Sequence, residues 1–309
     1  MKIIFIGTVF SSYNALEELV ENGLNVVAVF TIDPEFSKTI SDFKSLDPLC
    51  EQHTIPLYKF KNINDEENML KIIEYQPDYL FVIGLSQIIS KKLISIPTKG
   101  CIGAHPSLLP MGRGRASIPW AIINNQTETG MSIFYIDEGV DSGPIISQSI
   151  VSIEPRENAN SLYGKLNVSL REQIGRISSN IRNGTLEGVP QNDLIATYTA
   201  KRIPEDGLID WKESNERIDR LIRATSKPYP GAYTYYKDKK LIIWSANIIS
   251  QNKYIGTPGQ IVKINRDNAV IVSTGDGLLE VIEVLYEGVN YQSYEVLNRV
   301  GEKLGFKKE

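Results

Sequence analysis

The sequence feature that most constrains the fold of this chain is the alternation of short apolar runs with segments of helical spacing. An apolar run from Lys2 to Ile6 ends at Gly7, and apolar residues at helical spacing follow it. A second, β-branched run covers Asn25 to Phe30. Strand, helix and strand in this order are typical of a βαβ unit, which builds a parallel sheet. The unbroken apolar run from Tyr79 to Ile83 indicates a central strand that is buried on both faces.

A different pattern occupies the last third of the 309 residues. A long helix is predicted over residues 158–183, and a turn-rich stretch follows it. Beyond this lie a helical pattern over 215–226 and five short strands separated by Gly, Pro, Asn and Asp, which favour a small β-barrel. We expect a Rossmann-like, mostly parallel α/β domain over 1–190, a linker over 191–206, and a β-barrel domain over 207–309.

Composition excludes several classes of function. The net charge of −4 disfavours a general nucleic-acid binder. The two cysteines, Cys50 and Cys101, have no metal-ligand spacing, and Cys101 is more typical of a buried small residue than of a nucleophile. The amino-terminal apolar run is too short for a signal peptide, and no window approaches a membrane span. We therefore expect a cytoplasmic protein with no metal and no membrane partner.

The stretch from Gly100 to Gly143 concentrates the polar chemistry. His105, one of two histidines, directly follows an apolar strand. The loop beyond it carries Arg113 and Arg115 around Gly114, and an acidic turn, DEGVDSG, closes the stretch. Alone, His105 could simply cap the strand. The arginines could lie on a solvated turn or bind a phosphate or carboxylate.

Read together, HPSLLP, RGRA, WAI, ETG and DEGVDSG in this order resemble the folate-dependent formyltransferases, which use 10-formyltetrahydrofolate to formylate an amine. The Asp210-Trp211 pair and the IWSA of residues 243–246 are similar to the OB-like domain of the tRNA and aminosugar enzymes. The resemblance implies that His105 is a base or hydrogen-bond donor and that Asp141 orients it. An imidazole suits this role because it titrates near physiological pH.

The resemblance also implies a folate site built from two segments. The loop after the central strand would line the pterin pocket with Leu85, Ser86, Gln87, Ile88 and Ile89. The acidic turn would complete the site with Asp137, Glu138, Gly139, Val140 and Asp141. Ligands in α/β sheets bind at the carboxyl ends of the strands, where the first of these loops is predicted. The alternative for that loop is an ordinary strand-to-helix turn.

For the amine substrate, the resemblance implies contacts from Ser107, Arg113, Gly114 and Arg115, with the arginines on phosphates. Residues 31–50 carry three Asp, one Glu and two Lys. The corresponding loop is basic in tRNA-formylating members, so a loop with a net charge of −2 argues against tRNA. GRGRASIPW also looks more like the aminosugar enzymes. We predict an N-formyltransferase for a nucleotide-linked amino-deoxysugar of surface polysaccharide, with methionyl-tRNA formyltransferase as the alternative.

The second domain carries a net charge of only +2 over residues 207–309, well short of the dense basic face of nucleic-acid domains. We interpret it as a structural or oligomer-forming appendage, which leaves room for a homodimer.

One position departs from the family pattern. The family has a catalytic asparagine two residues before the histidine, and this chain has Gly103 there. A glycine offers no amide to a developing oxyanion, so a non-catalytic folate- or nucleotide-binding homologue is a further alternative. We hypothesise that Gln87 supplies the amide, because it also follows an apolar strand whose carboxyl end reaches the same crevice.

Overall fold

The computed structural model describes residues 1–251, 253–265 and 269–305. The chain divides into two compact units. The first comprises residues 1–117, 128–152 and 163–200, and the second comprises 118–127, 153–162 and 201–309. The predicted linker over 191–206 is therefore split between the units, because residues 191–200 pack within the first.

The first unit contains nine strands: β1 Lys2–Gly7, β2 Asn25–Ile32, β3 Leu57–Phe60, β4 Tyr79–Ile83, β5 Gly100–His105, β6 Arg113–Gly114, β7 Glu128–Tyr135, β8 Ile145–Ser152 and β9 Tyr198–Thr199. Seven form one sheet in the order β3-β2-β1-β4-β5-β7-β8. The first five strands of that order are parallel to one another, and β7 runs antiparallel to both of its neighbours, β5 and β8. β4 is buried along its whole length at the centre, so the predicted mostly parallel α/β sheet is confirmed.

The helices before residue 200 are α1 Phe10–Glu21, α2 Asp47–His53, α3 Glu66–Tyr75, α4 Lys91–Ile94, α5 Ser117–Ile123 and α6 Ala159–Asn183. The pattern over residues 62–75 predicts a helix with Met69, Leu70, Ile72 and Ile73 on its apolar side. Ile72 is buried and Met69 packs against the core, whereas Leu70 and Ile73 are about half exposed. α3 is short and presents only a narrow stripe to the core.

Beyond residue 200, the described part of the second unit forms an antiparallel sheet and two α-helices: α7 Asn215–Ala224, β10 Ala232–Tyr236, β11 Lys239–Ile249, β12 Ile261–Asn265, β13 Ala269–Ser273, β14 Leu278–Tyr286, β15 Val289–Gln292 and α8 Ser293–Val296. The strand order is β10-β11-β14-β13-β12, and β15 pairs with β14. Tyr235 bridges Gly305 and Gln260 bridges Lys303, so one segment reaches both edges of the sheet. The sheet is therefore joined at its edges, as in a barrel. The sequence pattern did not predict β15.

No helix among the described residues is long and apolar enough to cross a membrane.

Candidate active site

His105 ends β5 and is only 7% exposed. Its Nε2 lies 2.8 Å from the carbonyl oxygen of Gly112, and its Nδ1 lies 3.5 Å from Oδ2 of Asp141. A carbonyl oxygen can only accept a hydrogen bond, so Nε2 carries a proton in this arrangement. Nδ1 is the ring nitrogen that faces the carboxylate. The structure thus brings together the two residues that the resemblance pairs.

Asp141 lies in the acidic turn between β7 and β8 with a left-handed φ of 49°. Its Oδ2 accepts a hydrogen bond from the main-chain N–H of Gly114 at 2.8 Å. Gly114 also has a positive φ, and a Cβ there would lie 2.6 Å from the carbonyl oxygen of Thr199. Only glycine fits this close approach. Gly114 therefore contacts the site through its main chain, by binding the carboxylate that faces His105.

The loop after β4 departs from the sheet at Gly84, whose carbonyl oxygen accepts from Oγ1 of Thr8 at 2.7 Å. Leu85 and Ile89 pack partly into the core below, while Ile88 is exposed. The Nη1 of Arg115 lies 3.5 Å from the carbonyl oxygen of Ser86. This contact brings the arginine loop against the predicted pterin loop.

The acidic turn has an internal network of its own. Oδ1 of Asp137 accepts from the Gly139 N–H at 3.0 Å and from the hydroxyl of Ser142 at 2.8 Å. Glu138 pairs with Lys91 of α4 at 2.7 Å, and Val140 is exposed. The pair joins the turn to the helix that follows the 84–89 loop. The two predicted folate segments therefore lie at one edge of the sheet, where Ile88 and Val140 offer apolar surface.

Gln87 does not have the environment predicted for an oxyanion donor. Its Oε1 accepts from the Ile63 N–H at 2.9 Å, and its Nε2 donates to the carbonyl oxygen of Lys61 at 2.7 Å. Both ends of the amide are directed to the chain between β3 and α3. This arrangement argues against the role that we hypothesised from sequence.

Gly103 lies opposite Phe134 in the β5–β7 pairing, and the space beside it is filled. A Cβ at Gly103 would lie 3.0 Å from Cγ1 of Ile136 and 3.2 Å from a ring carbon of Phe134. Apolar side chains therefore occupy the volume into which an asparagine would extend.

The structure corrects the expectation that Arg113 contacts a substrate phosphate. Its side chain is 1% exposed, and its guanidinium donates four hydrogen bonds to partners in the first unit. The acceptors are Oε1 of Gln191, Oδ1 of Asp193 and the hydroxyl of Tyr198. A group enclosed in this way cannot reach a substrate phosphate. Arg115, by contrast, is exposed and remains available.

The structure also corrects the expected substrate contact of Ser107, because this side chain too is enclosed by protein groups. It is buried, and its hydroxyl donates to the carbonyl oxygen of Met111 at 2.7 Å. Its own carbonyl accepts from the hydroxyl of Ser132 at 2.6 Å. Ser107 shapes the loop after His105 rather than presenting a hydroxyl to a substrate.

Residues 191–199 hold the arginine loop, a function that the sequence pattern missed. β9 pairs with β6 in parallel, and the hydroxyl of Thr197 accepts from the Gly112 N–H at 2.9 Å. The Thr199 hydroxyl donates to the carbonyl oxygen of Arg115 at 2.8 Å. Turn residues together with Pro190 and Pro204 favour a linker here, and no local pattern indicates side chains that bond a loop about 80 residues earlier.

The first turn of α1 is capped by protein groups. The Phe10 N–H donates to the carbonyl oxygen of Asp42, and the Ser11 N–H donates to the hydroxyl of Tyr163. Tyr163 in turn donates to Oδ2 of Asp42 at 2.6 Å. Segment 31–50 is thereby held against the start of the helix. The N–H groups that could bind a phosphate at this position are already bonded to protein oxygens.

Cys101 is buried beneath the site, and burial raises the pKa of its thiol to about 12. A thiol with so high a pKa is a poor nucleophile. Within the described ranges, no group of three or more His, Cys, Asp or Glu side chains is arranged to hold a metal ion.

Comparison with known proteins decides the family. The formyl transferase model matches residues 1–173, and the formyl transferase C-terminal domain model matches residues 201–299. The chain belongs to the formyl transferase family. The structure places the His105–Asp141 pair within the part that matches the formyl transferase model.

Relatives of this formyl transferase differ in what their names state. The methionyl-tRNA formyltransferase of Geobacter metallireducens is 35% identical over 93% of this chain and 92% of its own. The bifunctional polymyxin resistance protein ArnA of Wigglesworthia glossinidia brevipalpis is 34% identical over 98% of this chain and 46% of its own. An N-formyltransferase from Helicobacter canadensis, solved with folinic acid and dTDP-3-aminofucose, superposes with a TM-score of 0.66 at 21% identity, covering 91% of this chain and 98% of that one.

Proposed function

We propose that the protein transfers the formyl group of 10-formyltetrahydrofolate to the amine of a nucleotide-linked amino-deoxysugar, in the biosynthesis of surface polysaccharide. The observation that carries the choice of substrate is the acidic segment 31–50, which Asp42 holds against the start of α1. Its net negative charge repels a polyanion such as tRNA. A sugar nucleotide is small and carries few charges, so it can avoid this segment.

The folate contacts in this proposal come from the two loops at the edge of the sheet. Ile88 and Val140 offer exposed apolar surface on opposite segments, which suits a planar heteroaromatic ring. Folinic acid in the Helicobacter canadensis structure supports a folate co-substrate here.

The chemistry is an exchange of one C–N bond for another. The amine nitrogen attacks the formyl carbon, the bond to the folate nitrogen breaks, the amine loses a proton and the leaving nitrogen gains one. His105 and Asp141 supply the groups that move these protons, with Nδ1 of His105 as the exchanging nitrogen. The Nε2–H bond to Gly112 keeps the ring in place during the exchange.

Arg115 is our candidate for the diphosphate contact. It is the exposed arginine of the RGR loop, and a guanidinium can bind two phosphate oxygens at once. Arg113, two residues earlier, is enclosed by protein groups and makes no contact with the diphosphate.

Methionyl-tRNA formyltransferase is the second candidate. Its support is the 35% identity to the Geobacter metallireducens enzyme over nearly the full length of both chains. ArnA has a similar identity and a different name, so we do not base the choice of substrate on identity alone.

One panel experiment separates the candidates. The protein is incubated with 10-formyltetrahydrofolate and either amino-sugar nucleotides (UDP-, dTDP- and GDP-linked) or charged initiator tRNA, and products are identified by mass spectrometry. We expect a formylated sugar nucleotide and no competition by tRNA at physiological salt. Faster formylation of the tRNA would overturn the proposal, and folate binding without any turnover would indicate the non-catalytic homologue.

A further inference from the structure

We propose that Gln191 is a positioning residue that holds Asp141 in the orientation required for formyl transfer. The proposal rests on the function proposed above. Gln191 lies in the stretch that the sequence pattern predicts to be a linker. The structure places it within the first unit, between the acidic turn and the buried Arg113.

The amide of Gln191 bonds the acidic turn at two points. Its Nε2 donates to the carbonyl oxygen of Asp141 at 2.8 Å and to that of Gly143 at 2.7 Å. An amide nitrogen has two hydrogens, so each carbonyl can receive one. The side chain therefore fixes the main chain on both sides of Ser142.

The turn needs such a restraint because its conformation is strained. Asp141 has a φ of 49°, in the left-handed region that non-glycine residues seldom adopt. Gly143 approaches Tyr135 so closely that a Cβ would lie 1.7 Å from its carbonyl oxygen. The strained φ directs the Asp141 carboxylate to Gly114 and His105, so relaxation of the turn would move the carboxylate away from both.

Arg113 determines which way the Gln191 amide points. Oε1 accepts from Nε of Arg113 at 3.1 Å and from Nη2 at 2.8 Å. A guanidinium only donates and a carbonyl only accepts, so this amide has one orientation that satisfies all four bonds. Asp193 and Tyr198 anchor the guanidinium in turn. Arg113 thus acts on Asp141 through Gln191, although it is enclosed by protein groups.

Gln191→Glu separates positioning from general stability. A glutamate keeps one oxygen toward Arg113, where a charge-assisted bond is stronger than the original. It loses both N–H groups, and an oxygen then faces the two carbonyls of the turn. We expect a folded protein with a melting temperature lowered by a few degrees at most, and a fall in kcat of roughly 10- to 100-fold, the scale on which misplacement acts. Gln52→Glu, an exposed position on α2, is the control for charge.

A double-mutant cycle tests whether the effect passes through Asp141. Residues that act as one unit are not additive. We expect Gln191→Glu to cost little once Asp141→Asn is present. The full 10- to 100-fold loss on that background, or normal turnover by Gln191→Glu alone, would overturn the proposal.

A spectroscopic measurement decides the question without a formyl acceptor. The chain has two histidines, so the ring ¹⁵N resonances of His105 can be assigned from their loss in His105→Asn. At fixed pH, we expect Gln191→Glu to move them in the same direction as Asp141→Asn, and Gln52→Glu to leave them in place. Unmoved resonances would overturn the proposal. If no amine of the panel is formylated but the resonances move, only the proposed function fails.

Discussion

The main-chain N–H of Gly114 donates a 2.8 Å hydrogen bond to the side chain of Asp141, 27 residues away. The same carboxylate oxygen lies 3.5 Å from Nδ1 of His105. The arginine loop and the acidic turn therefore meet at one oxygen atom. The N–H of Gly114 has a fixed direction because it belongs to the main chain, and it therefore orients the carboxylate that faces the histidine.

Asp141→Asn tests the carboxylate. Asparagine keeps an oxygen that can accept from Gly114 but has no charge beside His105. We expect kcat to fall by roughly 100-fold or more, the scale of acid–base groups, with the melting temperature unchanged. Asp65→Asn, an exposed carboxylate before α3, is the control. Near-normal turnover by Asp141→Asn would contradict its proposed role as the residue that orients His105.

The two arginines of the loop should respond differently to substitution. Arg113→Met removes four buried hydrogen bonds and should lower the melting temperature by several degrees. Arg115→Met should leave the melting temperature unchanged and raise KM for the proposed sugar-nucleotide substrate about tenfold. Thermal melts and initial rates of both variants check this. An Arg113 variant of normal stability with only a raised KM would return that residue to the substrate site.

Gly103→Asn restores the family residue where Ile136 and Phe134 fill the space. Overpacking a buried site costs about 1–3 kcal/mol, so we expect a lower melting temperature and no gain in kcat. Ile136→Val makes room, and the double variant should recover part of the lost stability. A single Gly103→Asn variant with a higher kcat and normal stability would show that the site has more space than the structure indicates.

Asp42 should make stability depend on pH. Burial raises its pKa from the ordinary 3.8, against opposing hydrogen bonds from Tyr163 and its own main chain. The folded protein then binds a proton more tightly than the unfolded chain, so this contribution is present below the unfolded value and is lost as pH rises through the folded pKa. Asp42→Asn keeps the acceptor for Tyr163 and should raise the melting temperature by a few degrees at pH 8, with a smaller gain at pH 4. A lower melting temperature at pH 8 would contradict this.

The cysteines should be inert in the native protein. Burial raises the pKa of Cys50 and Cys101 to about 12, so neither forms much thiolate at pH 8. We expect no reaction with a thiol-specific chromogenic reagent until the protein is unfolded. Cys101→Ala should keep its turnover. Rapid labelling of the native protein, or an inactive Cys101→Ala variant of normal stability, would reopen the nucleophile alternative.

Segments with a strong local pattern were predictable from the sequence. The runs at Tyr79–Ile83 and Gly100–Ala104 are strands, and the 158–183 pattern is the helix α6 almost to the residue. Hydrophobic periodicity is a property of residues that are close in the sequence, so it predicts helices and strands without knowledge of the fold. The HPSLLP and DEGVDSG motifs likewise selected His105 and Asp141, which the structure brings to 3.5 Å.

Tertiary structure alone decided how the other polar side chains are used. Arg113 and Arg115 have the same chemistry and are two residues apart, yet one is enclosed and the other exposed. The difference comes from Gln191 and its neighbours, which fold back on the arginine loop and enclose Arg113. In the same way, main-chain groups of Lys61 and Ile63 bind the amide of Gln87. A side chain's partner is fixed by distance in space, and these partners lie about 25 to 80 residues apart in the chain. The sequence by itself determined the fold class, the family motifs and the His–Asp pair; the folded chain determined which arginine is enclosed and which glutamine bonds the acidic turn.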